Sequence, residues 1–198
     1  MPHIFVKSSV KKVARLLGLS IAIITAPVYL FLGAVALLTD KFTDYNIILS
    51  YFPFYFGEFV RFIYYRVFLK KVGNKTVFKF GSYVQYRESS IGSRCKLGYF
   101  NAVGLVNMGD DVLCGGYVNF TSGLKQHSFQ DPALAFNQQP GERVCLIIGN
   151  DIWIGNNSVI CANINDRVVI GAGSIVVADC ETKAIYGGNP ARLLKKIE

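Results

Sequence analysis

A six-residue periodicity runs through the C-terminal two-thirds of the chain and limits its fold more than any other feature. An aliphatic residue followed by glycine recurs at Ile91-Gly92, Leu97-Gly98, Val103-Gly104, Ile148-Gly149 and Ile154-Gly155. A period of six matches neither an amphipathic helix nor an alternating strand continued over this length. It predicts a solenoid in which each hexad forms one short strand and one turn, and three hexads close one triangular coil.

The fifth place of each hexad is also restricted to small or β-branched residues. It holds Cys95, Val112, Val118, Ile152, Ser158 and Ser174. We expect the aliphatic side chains to point into the core, with glycine allowing the tight corner. Such coils bury a core only by stacking, so residues 76–198 are predicted to form one domain.

Residues 121–147 interrupt the repeat and contain no six-residue phase. A loop of this length in a compact domain is usually functional or disordered. It contains His127, one of two histidines; the other, His3, lies in the N-terminal tail and has no expected role. A lone histidine in a loop is more often structural or solvated than catalytic, so the residues alone leave its role open.

The N-terminal third contains an apolar segment of 23 uncharged residues, 16–38. As a straight helix it would cover about 35 Å, enough to cross a bilayer core. The basic residues before it place the N-terminus in the cytoplasm by the positive-inside rule. The segment could span the membrane, lie on it, or form a re-entrant hairpin broken at Pro27, which would keep both ends on the cytoplasmic side. A secretory signal fits less well, because no clear cleavage site follows.

The next segment, 42–69, has twelve Phe or Tyr in 28 residues, interrupted by Glu58, Arg61 and Arg66. This mixture suits a helix at the level of the lipid headgroups. The alternative is a buried aromatic helix packed on the main domain. Residues 1–75 are therefore predicted to be a membrane-associated helical region.

The charge distribution and the cysteines narrow the classes of partner and compartment. Of the net charge of +8, residues 1–75 supply +7, since they hold ten basic and three acidic residues. The nearly neutral remainder argues against a nucleic-acid groove. The five cysteines include no C-x-x-C pair, which favours reduced thiols in a cytosolic compartment over a zinc site or a disulfide framework.

Three motifs carry a family resemblance: IIGNDIWIGNNSVI at 147–160, VVIGAGSIVVAD at 168–179 and GGNPARLLKKI at 187–197. They resemble the hexapeptide-repeat acyltransferases, whose fold is a left-handed parallel β-helix. The aromatic N-terminal region resembles the membrane-associated branch that O-acetylates bacterial surface polysaccharides, including colanic-acid-type enzymes. The predicted fold is therefore mainly β, a left-handed parallel β-helix with an N-terminal membrane-associated helical region. A short C-terminal helix over 191–198 is expected to cover the last coil edge.

The resemblance implies that His127 is the general base. A neutral imidazole can take the proton of a sugar hydroxyl as that hydroxyl attacks a thioester carbonyl, with no covalent enzyme intermediate. Asp131 and Glu142 are candidates to orient it, although both suit solvated loop charges. The resemblance also places Asn101 near the acceptor hydroxyl.

The family binds coenzyme A in a groove between adjacent β-helices of a trimer. By motif position, Asn156 and Ala172 should line this groove, and Arg192 and Lys195 should meet the nucleotide phosphates. The alternative for Arg192 and Lys195 is a solvated helix face. The resemblance thus implies acetyl-CoA as co-substrate and a homotrimer.

The predicted function is transfer of an acetyl group from acetyl-CoA to a sugar hydroxyl in bacterial surface polysaccharide biosynthesis. The acceptor would be a nucleotide sugar or a lipid-linked glycan, at the cytoplasmic face of the inner membrane. Carbonic anhydrases with a similar solenoid need three histidines on zinc, and this chain has two, so no metal is expected. The alternative function is a non-catalytic, membrane-anchored trimeric scaffold for glycan-assembly enzymes.

Overall fold

The computed structural model describes the backbone of residues 2–198 and the side chains of residues 9–198, so the side chain of His3 lies outside the described part. Three α-helices come first: α1 (Pro2–Leu38), α2 (Phe42–Ser50) and α3 (Phe54–Phe68). Sixteen short strands follow, with one 3-10 turn at Phe136–Gln138. The strands are β1 (Lys71–Val72), β2 (Val77–Phe78), β3 (Tyr83–Val84), β4 (Ser90–Ile91), β5 (Lys96–Leu97), β6 (Ala102–Val103), β7 (Val106–Met108), β8 (Val112–Cys114), β9 (Asn119–Phe120), β10 (Leu146–Ile148), β11 (Ile152–Ile154), β12 (Val159–Ile160), β13 (Val168–Ile170), β14 (Ile175–Val176), β15 (Ala184–Gly187) and β16 (Arg192–Lys196).

The strands form three sheets, which are the faces of a triangular solenoid. Sheet A has the order β1-β4-β7-β10, sheet B runs β16-β15-β13-β11-β8-β5-β2, and sheet C runs β14-β12-β9-β6-β3. All pairs are parallel except β15 with β16. Three consecutive strands make one coil: β1–β3 are coil 1, β4–β6 coil 2, β7–β9 coil 3 and β10–β12 coil 4. The predicted parallel solenoid is confirmed.

The core lies inside the triangle, where the aliphatic residue of each hexad stacks on the next coil. These residues are at most 3% exposed: Ile91, Leu97, Val103, Met108, Cys114, Ile148, Ile154, Ile160, Ile170 and Val176. The fifth-place residues, from Cys95 to Ser174, are at most 2% exposed. Strands of two or three residues bury little alone, so the stack stabilises them collectively.

The solenoid begins at Lys71, before the start at residue 76 that the sequence predicts. Val72, Phe78 and Val84 pair with Ile91, Leu97 and Val103 of the next coil and are buried. The expected start at residue 76 cuts through this first coil. Phe78 and Val84 were missed because neither is followed by glycine.

The helices correct two expectations. Helix α1 continues through Pro27, so the re-entrant hairpin broken at Pro27, one of the three alternatives for this segment, is wrong. Proline removes one backbone donor, and the remaining helical bonds on either side hold a long apolar helix together. The aromatic segment 42–69 forms two helices, which break before Pro53. Tyr64 and Tyr65 of α3 are 0% exposed. The face of α3 that carries them therefore agrees with the alternative of a buried aromatic helix packed on the main domain.

Helices α2 and α3 close the open end of coil 1, whose edge strands present unpaired backbone groups. Arg61 Nε donates to the Phe78 carbonyl at 3.0 Å, and Asn46 Nδ2 donates to the Val84 carbonyl at 2.6 Å. The Val84 N–H donates to the Tyr65 hydroxyl at 3.1 Å. Burial lowers the pKa of Arg61 to about 10, still well above neutral, so the guanidinium stays charged while it bonds several carbonyls.

The predicted C-terminal helix over 191–198 is wrong. Residues Arg192–Lys196 form β16, which pairs antiparallel with β15. Gly187-Gly188-Asn189-Pro190 makes the tight turn, with Gly188 at φ 99°, a conformation open to glycine. Strand β16 forms backbone hydrogen bonds with the free edge of β15, which a helix could not do. The β15–β16 hairpin therefore covers the end of the parallel part of sheet B.

Candidate active site

The interruption between coils 3 and 4 forms a two-stranded stem. It leaves sheet C after β9 and returns to sheet A at β10. The Ser128 N–H donates to the Pro140 carbonyl at 2.9 Å, and the Glu142 N–H donates to the Lys125 carbonyl at 2.7 Å. A Cβ at Gly141 would collide with the Gln126 carbonyl, so glycine permits the close approach of the two strands.

Gln139 holds the outer part of this loop. It is 4% exposed, and its Nε2 donates to the carbonyls of Asp131 and Leu134 at 2.9 and 3.0 Å. The Asp131 carboxylate accepts the Ala133 N–H at 2.9 Å and stabilises its own turn. Asp131 is therefore a structural residue of the turn and does not orient His127.

His127 lies on the stem and lines a cavity of about 350 Å³. The wall is formed by Lys125, His127, Ser128, Phe129, Gln130, Pro140, Gly141 and Glu142. Within residues 9–198, no hydrogen bond or ion pair fixes the exposed imidazole. A base, a carboxylate and an ammonium group thus share one open cavity, with Glu142 as the remaining candidate to orient His127.

The stem also contacts coil 1, a contact that sequence reasoning missed. The Arg143 guanidinium carbon lies 5.1 Å from the centroid of the Tyr86 ring, within the range of a cation–π interaction. Arg143 and Tyr86 are far apart in sequence and carry no shared motif, so no local signal could pair them. The structural importance of Gly141 could be predicted from the sequence, because Pro140-Gly141 is a turn signal.

Asn101 is not a substrate contact. Its side chain is 0% exposed, and Oδ1 accepts the Val118 N–H at 2.8 Å inside the solenoid wall. A sugar hydroxyl cannot reach it. The expectation is wrong because the residue occupies a corner position, where a buried amide bonds the next coil.

The predicted coenzyme A residues lie along sheet B and its border with sheet C. Asn156 and Ala172 are exposed at the same corner of consecutive coils, where the Gly173 N–H donates to the Asn156 carbonyl at 2.8 Å. The Asn156 side-chain oxygen accepts the Gly116 N–H at 2.8 Å, which fixes the amide in place.

Arg192 and Lys195 are exposed on β16 instead of a helix face. A register shift opposite Ile185 and Tyr186 pairs Lys195 with Ile185 and Arg192 with Gly187. Because paired residues project to the same side and the buried Ala184 and Tyr186 point inward, both cations belong to the outer side of sheet B. The four residues predicted to bind coenzyme A therefore share one side of the prism, and the His127 loop leaves from another edge.

No family model matches the sequence, and no curated protein sequence matches it. Solved structures do. A maltose O-acetyltransferase from Clostridium difficile 630 is 25% identical over 81% of this chain and 89% of that chain, with a TM-score of 0.65. VCA0836 from Vibrio cholerae O1 biovar eltor, a hexapeptide-repeat containing acetyltransferase complexed with acetyl coenzyme A, is 22% identical over 70% and 76% of the two chains, with a TM-score of 0.53.

A third similar structure is AntD, an N-acyltransferase from Bacillus cereus in complex with dTDP and 3-hydroxybutyryl-CoA. It is 18% identical over 67% of this chain and 86% of that chain, with a TM-score of 0.54. The chain has the hexapeptide-repeat acetyltransferase fold. The resemblance to its membrane-associated, colanic-acid-type branch stays a prediction.

Within this hexapeptide-repeat fold, the thiols offer no nucleophile with a partner base. Cys95, Cys114 and Cys180 are buried, and burial raises the pKa of Cys180 to about 11, so it stays protonated. Cys145 is exposed and Cys161 half-buried, and neither has a hydrogen-bonded base in the described residues. Residues 9–198 also bring together no group of three metal-ligating side chains.

Proposed function

We propose that this protein transfers an acetyl group from acetyl-CoA to a hydroxyl of a sugar, on a left-handed β-helix. The observation that carries the proposal is His127, which lies in an open cavity at the single long interruption of the described solenoid. Similar solved structures include an O-acetyltransferase and acyltransferases with a coenzyme A ester bound. An O-linked product is favoured over an N-linked one by the greater similarity to the maltose enzyme.

In the proposed reaction, the His127 imidazole accepts the hydroxyl proton as the sugar oxygen attacks the thioester carbonyl carbon. The oxyanion forms on the carbonyl oxygen, where backbone N–H groups can stabilise it. Collapse of this intermediate breaks the carbon–sulfur bond, and His127 returns the proton to the departing thiolate. The products are the acetyl ester and free coenzyme A, with no covalent enzyme intermediate.

A homotrimer would complete the site. The donor residues Asn156, Ala172, Arg192 and Lys195 and the His127 loop leave different edges of one prism, so a second copy is needed to bring them together. An exposed apolar ladder supports such packing: Trp153 pairs with Leu113 and Val169 on the outer face of sheet B, and it is 57% exposed. Arg192 and Lys195 would then attract the anionic phosphates of coenzyme A.

We place this activity in bacterial surface polysaccharide biosynthesis, at the cytoplasmic face of the inner membrane. Ser9–Leu38 is long and apolar enough to cross a membrane, with a mean hydropathy of 2.4 over its most apolar 18-residue window. The acceptor is then a lipid-linked glycan, with a nucleotide sugar as the soluble alternative. Nothing in the fold favours the non-catalytic scaffold.

The test is an acetyl-transfer assay that follows release of the coenzyme A thiol, with sugars, nucleotide sugars and lipid-linked glycans as acceptors. Wild-type protein should release the thiol only when an acceptor is present. His127→Ala should abolish release, whereas Gln138→Ala, an exposed change in the same loop outside the cavity, should not. Equal turnover by wild type and His127→Ala would overturn the proposal.

A further inference from the structure

Helices α1 and α2 present a large apolar surface that does not pack on the solenoid. The strongly exposed apolar residues of α1 are Val10, Val13, Leu16, Leu17, Ile21, Ile23, Ile24, Val28, Phe31, Leu32, Val35 and Leu38. Ile48 of α2 adds to it and is 58% exposed, whereas Phe54 and Val67 of α3 are exposed beside solenoid residues and lie outside this surface. Monomeric soluble proteins rarely expose apolar patches of this extent, so this surface has a partner.

The charged residues of α3 point the other way, toward coil 1. Glu58 pairs with Lys79 at 2.5 Å, and Arg66 Nη1 donates to the Val72 carbonyl and the Asn74 side chain at 3.0 Å. Polar and apolar groups of the layer are thus sorted by depth along the solenoid axis. This is the order in which water, headgroups and acyl chains succeed one another.

Two further cations, called the rim cations below, lie between the helices and coil 1. Arg15 of α1 and Lys75 of the coil 1 corner line a cavity of about 390 Å³ with Phe59, Phe62 and Thr76. Glu58 also lines this cavity, but it is engaged by Lys79. A cavity lined by two cations and two aromatic rings complements an anionic lipid headgroup.

The packing fixes the direction of α1. Helix α3 lies across the end of the solenoid, because within two turns its residues bond all three strands of coil 1: Arg61 to β2, Tyr65 to β3 and Arg66 to β1. Helix α1 follows α3 in parallel, with Gly18 against Tyr55 and Phe56, and Gly33 against Tyr64 and Phe68. Helix α1 is therefore transverse to the solenoid axis.

A membrane-spanning α1 conflicts with this packing. If residues 16–38 crossed the bilayer, α3 beside them would enter the hydrocarbon together with Arg66, the Glu58–Lys79 pair and the edge of coil 1. Charged groups at that depth cost several kcal/mol each. A helix that lies flat leaves all of them on the aqueous side.

We propose that α1, α2 and α3 form a monotopic membrane-binding base, which inserts flat into one leaflet that contains anionic lipid. The solenoid stands on this base, so the N-terminus, Asp40 and the His127 loop are all on the same side of the membrane. This inference rests on the proposed membrane location and defines its mode: α1 neither spans nor re-enters. The loop departs between coils 3 and 4, about 12 Å along the solenoid from coil 1 at a coil spacing of about 4.8 Å.

The test uses the full chain reconstituted in vesicles of phosphatidylcholine with or without phosphatidylglycerol. Single fluorophores are attached at Val13→Cys, Ile24→Cys and Val35→Cys, with Cys145→Ser and Cys161→Ala in the background, and quenched by lipids brominated at known depths. A flat helix gives one shallow depth at all three positions. A graded profile, deepest at residue 24, would overturn the proposal. A label at Asn107→Cys, which is exposed on coil 3, should stay unquenched.

A membrane-impermeant maleimide separates the remaining outcomes. In sealed vesicles, Lys41→Cys and native Cys145 should react from the same side, and reaction from opposite sides would contradict a monotopic base. If the protein does not float with any vesicle, both the base and the membrane part of the proposed function fail. Acetyl transfer to a soluble acceptor is then still measurable and decides the chemistry separately.

The rim cations provide a second readout. The variant Arg15→Gln/Lys75→Asn should bind vesicles with phosphatidylglycerol about 25-fold more weakly, since each cation near an anionic surface contributes about five-fold. Asparagine suits position 75, where φ is 60°. Binding to pure phosphatidylcholine should not change; an equal loss on both vesicles would contradict the headgroup role.

Discussion

The solenoid and the helical base use apolar residues in opposite ways. In the solenoid the aliphatic side chain of each hexad points inward, and Ile154 and Ile160 are 0% exposed. In the base the apolar side chains of α1 point outward, and Ile24 and Leu38 are 76% and 85% exposed. The difference shows that periodicity locates a core, whereas apolar content alone does not say which surface is buried or what buries it.

The largest expected effect of this contrast is on stability. Ile154→Ala should lower the free energy of unfolding by about 3–4 kcal/mol, because it leaves a cavity between two coils. Ile24→Ala should leave that free energy unchanged in detergent micelles and weaken vesicle binding. Denaturant unfolding and vesicle flotation of both variants measure the two effects. Similar losses of stability for the two variants would show that α1 has a buried outer face.

The same contrast explains what the sequence could predict. The repeat predicted the triangular stack and its inward residues, because the aliphatic residue before glycine marks the buried position of each hexad. It did not predict that coil 1 begins at Lys71, because Phe78 and Val84 lack the following glycine, nor β16, whose Arg-Leu-Leu-Lys-Lys run also suits a helix. For the site, the histidine loop was visible as an interruption. The burial of Asn101 and the contact of Arg143 with Tyr86 depend on how distant coils stack. No local sequence pattern predicts such contacts.

The junction between the two regions is the next place to test. Arg61 bonds the carbonyls of Phe78, Leu49, Ser50 and Phe52. Arg61→Ala should therefore lower the free energy of unfolding by about 3 kcal/mol, since buried acceptors lose their donor. Arg61→Lys should not restore it, because a single ammonium group cannot reach all four carbonyls. Denaturant titration measures both, and full stability of either variant would show that the junction does not depend on the guanidinium.

A smaller effect is expected on activity from the stem of the His127 loop. Gly141→Ala should reduce kcat/KM about ten-fold, because its Cβ pushes the strand away from Gln126 and displaces His127. The melting temperature should change little, since the stem lies outside the solenoid. Steady-state acetyl-transfer kinetics measure the loss. Wild-type activity in Gly141→Ala would mean that the stem geometry does not position the histidine.

The smallest effect concerns an ion pair on the solenoid surface. Hydrogen bonds from Arg94 Nε and Nη2, both at 2.6 Å, hold the pKa of the Asp111 carboxyl below its usual range. Because the folded pKa is lower than the unfolded one, this stabilisation is present at neutral pH and is lost as the pH falls through the acidic range. Melting temperatures of wild type and Arg94→Gln should converge as the pH falls below about 4, the ordinary pKa of an aspartate. If the difference between the two melting temperatures grew as the pH fell, the ion pair would not stabilise the fold in the way described.

In the proposed reaction the loop histidine performs the chemistry and the solenoid supports the loop. The most direct measurement is kcat/KM for acetyl transfer by wild type, His127→Ala and the loop control Gln138→Ala, each first shown to have the same melting temperature. We predict a loss of about a thousand-fold for His127→Ala, in the range of a removed general base, and none for the control. Retention of wild-type kcat/KM by a folded His127→Ala protein would contradict the account.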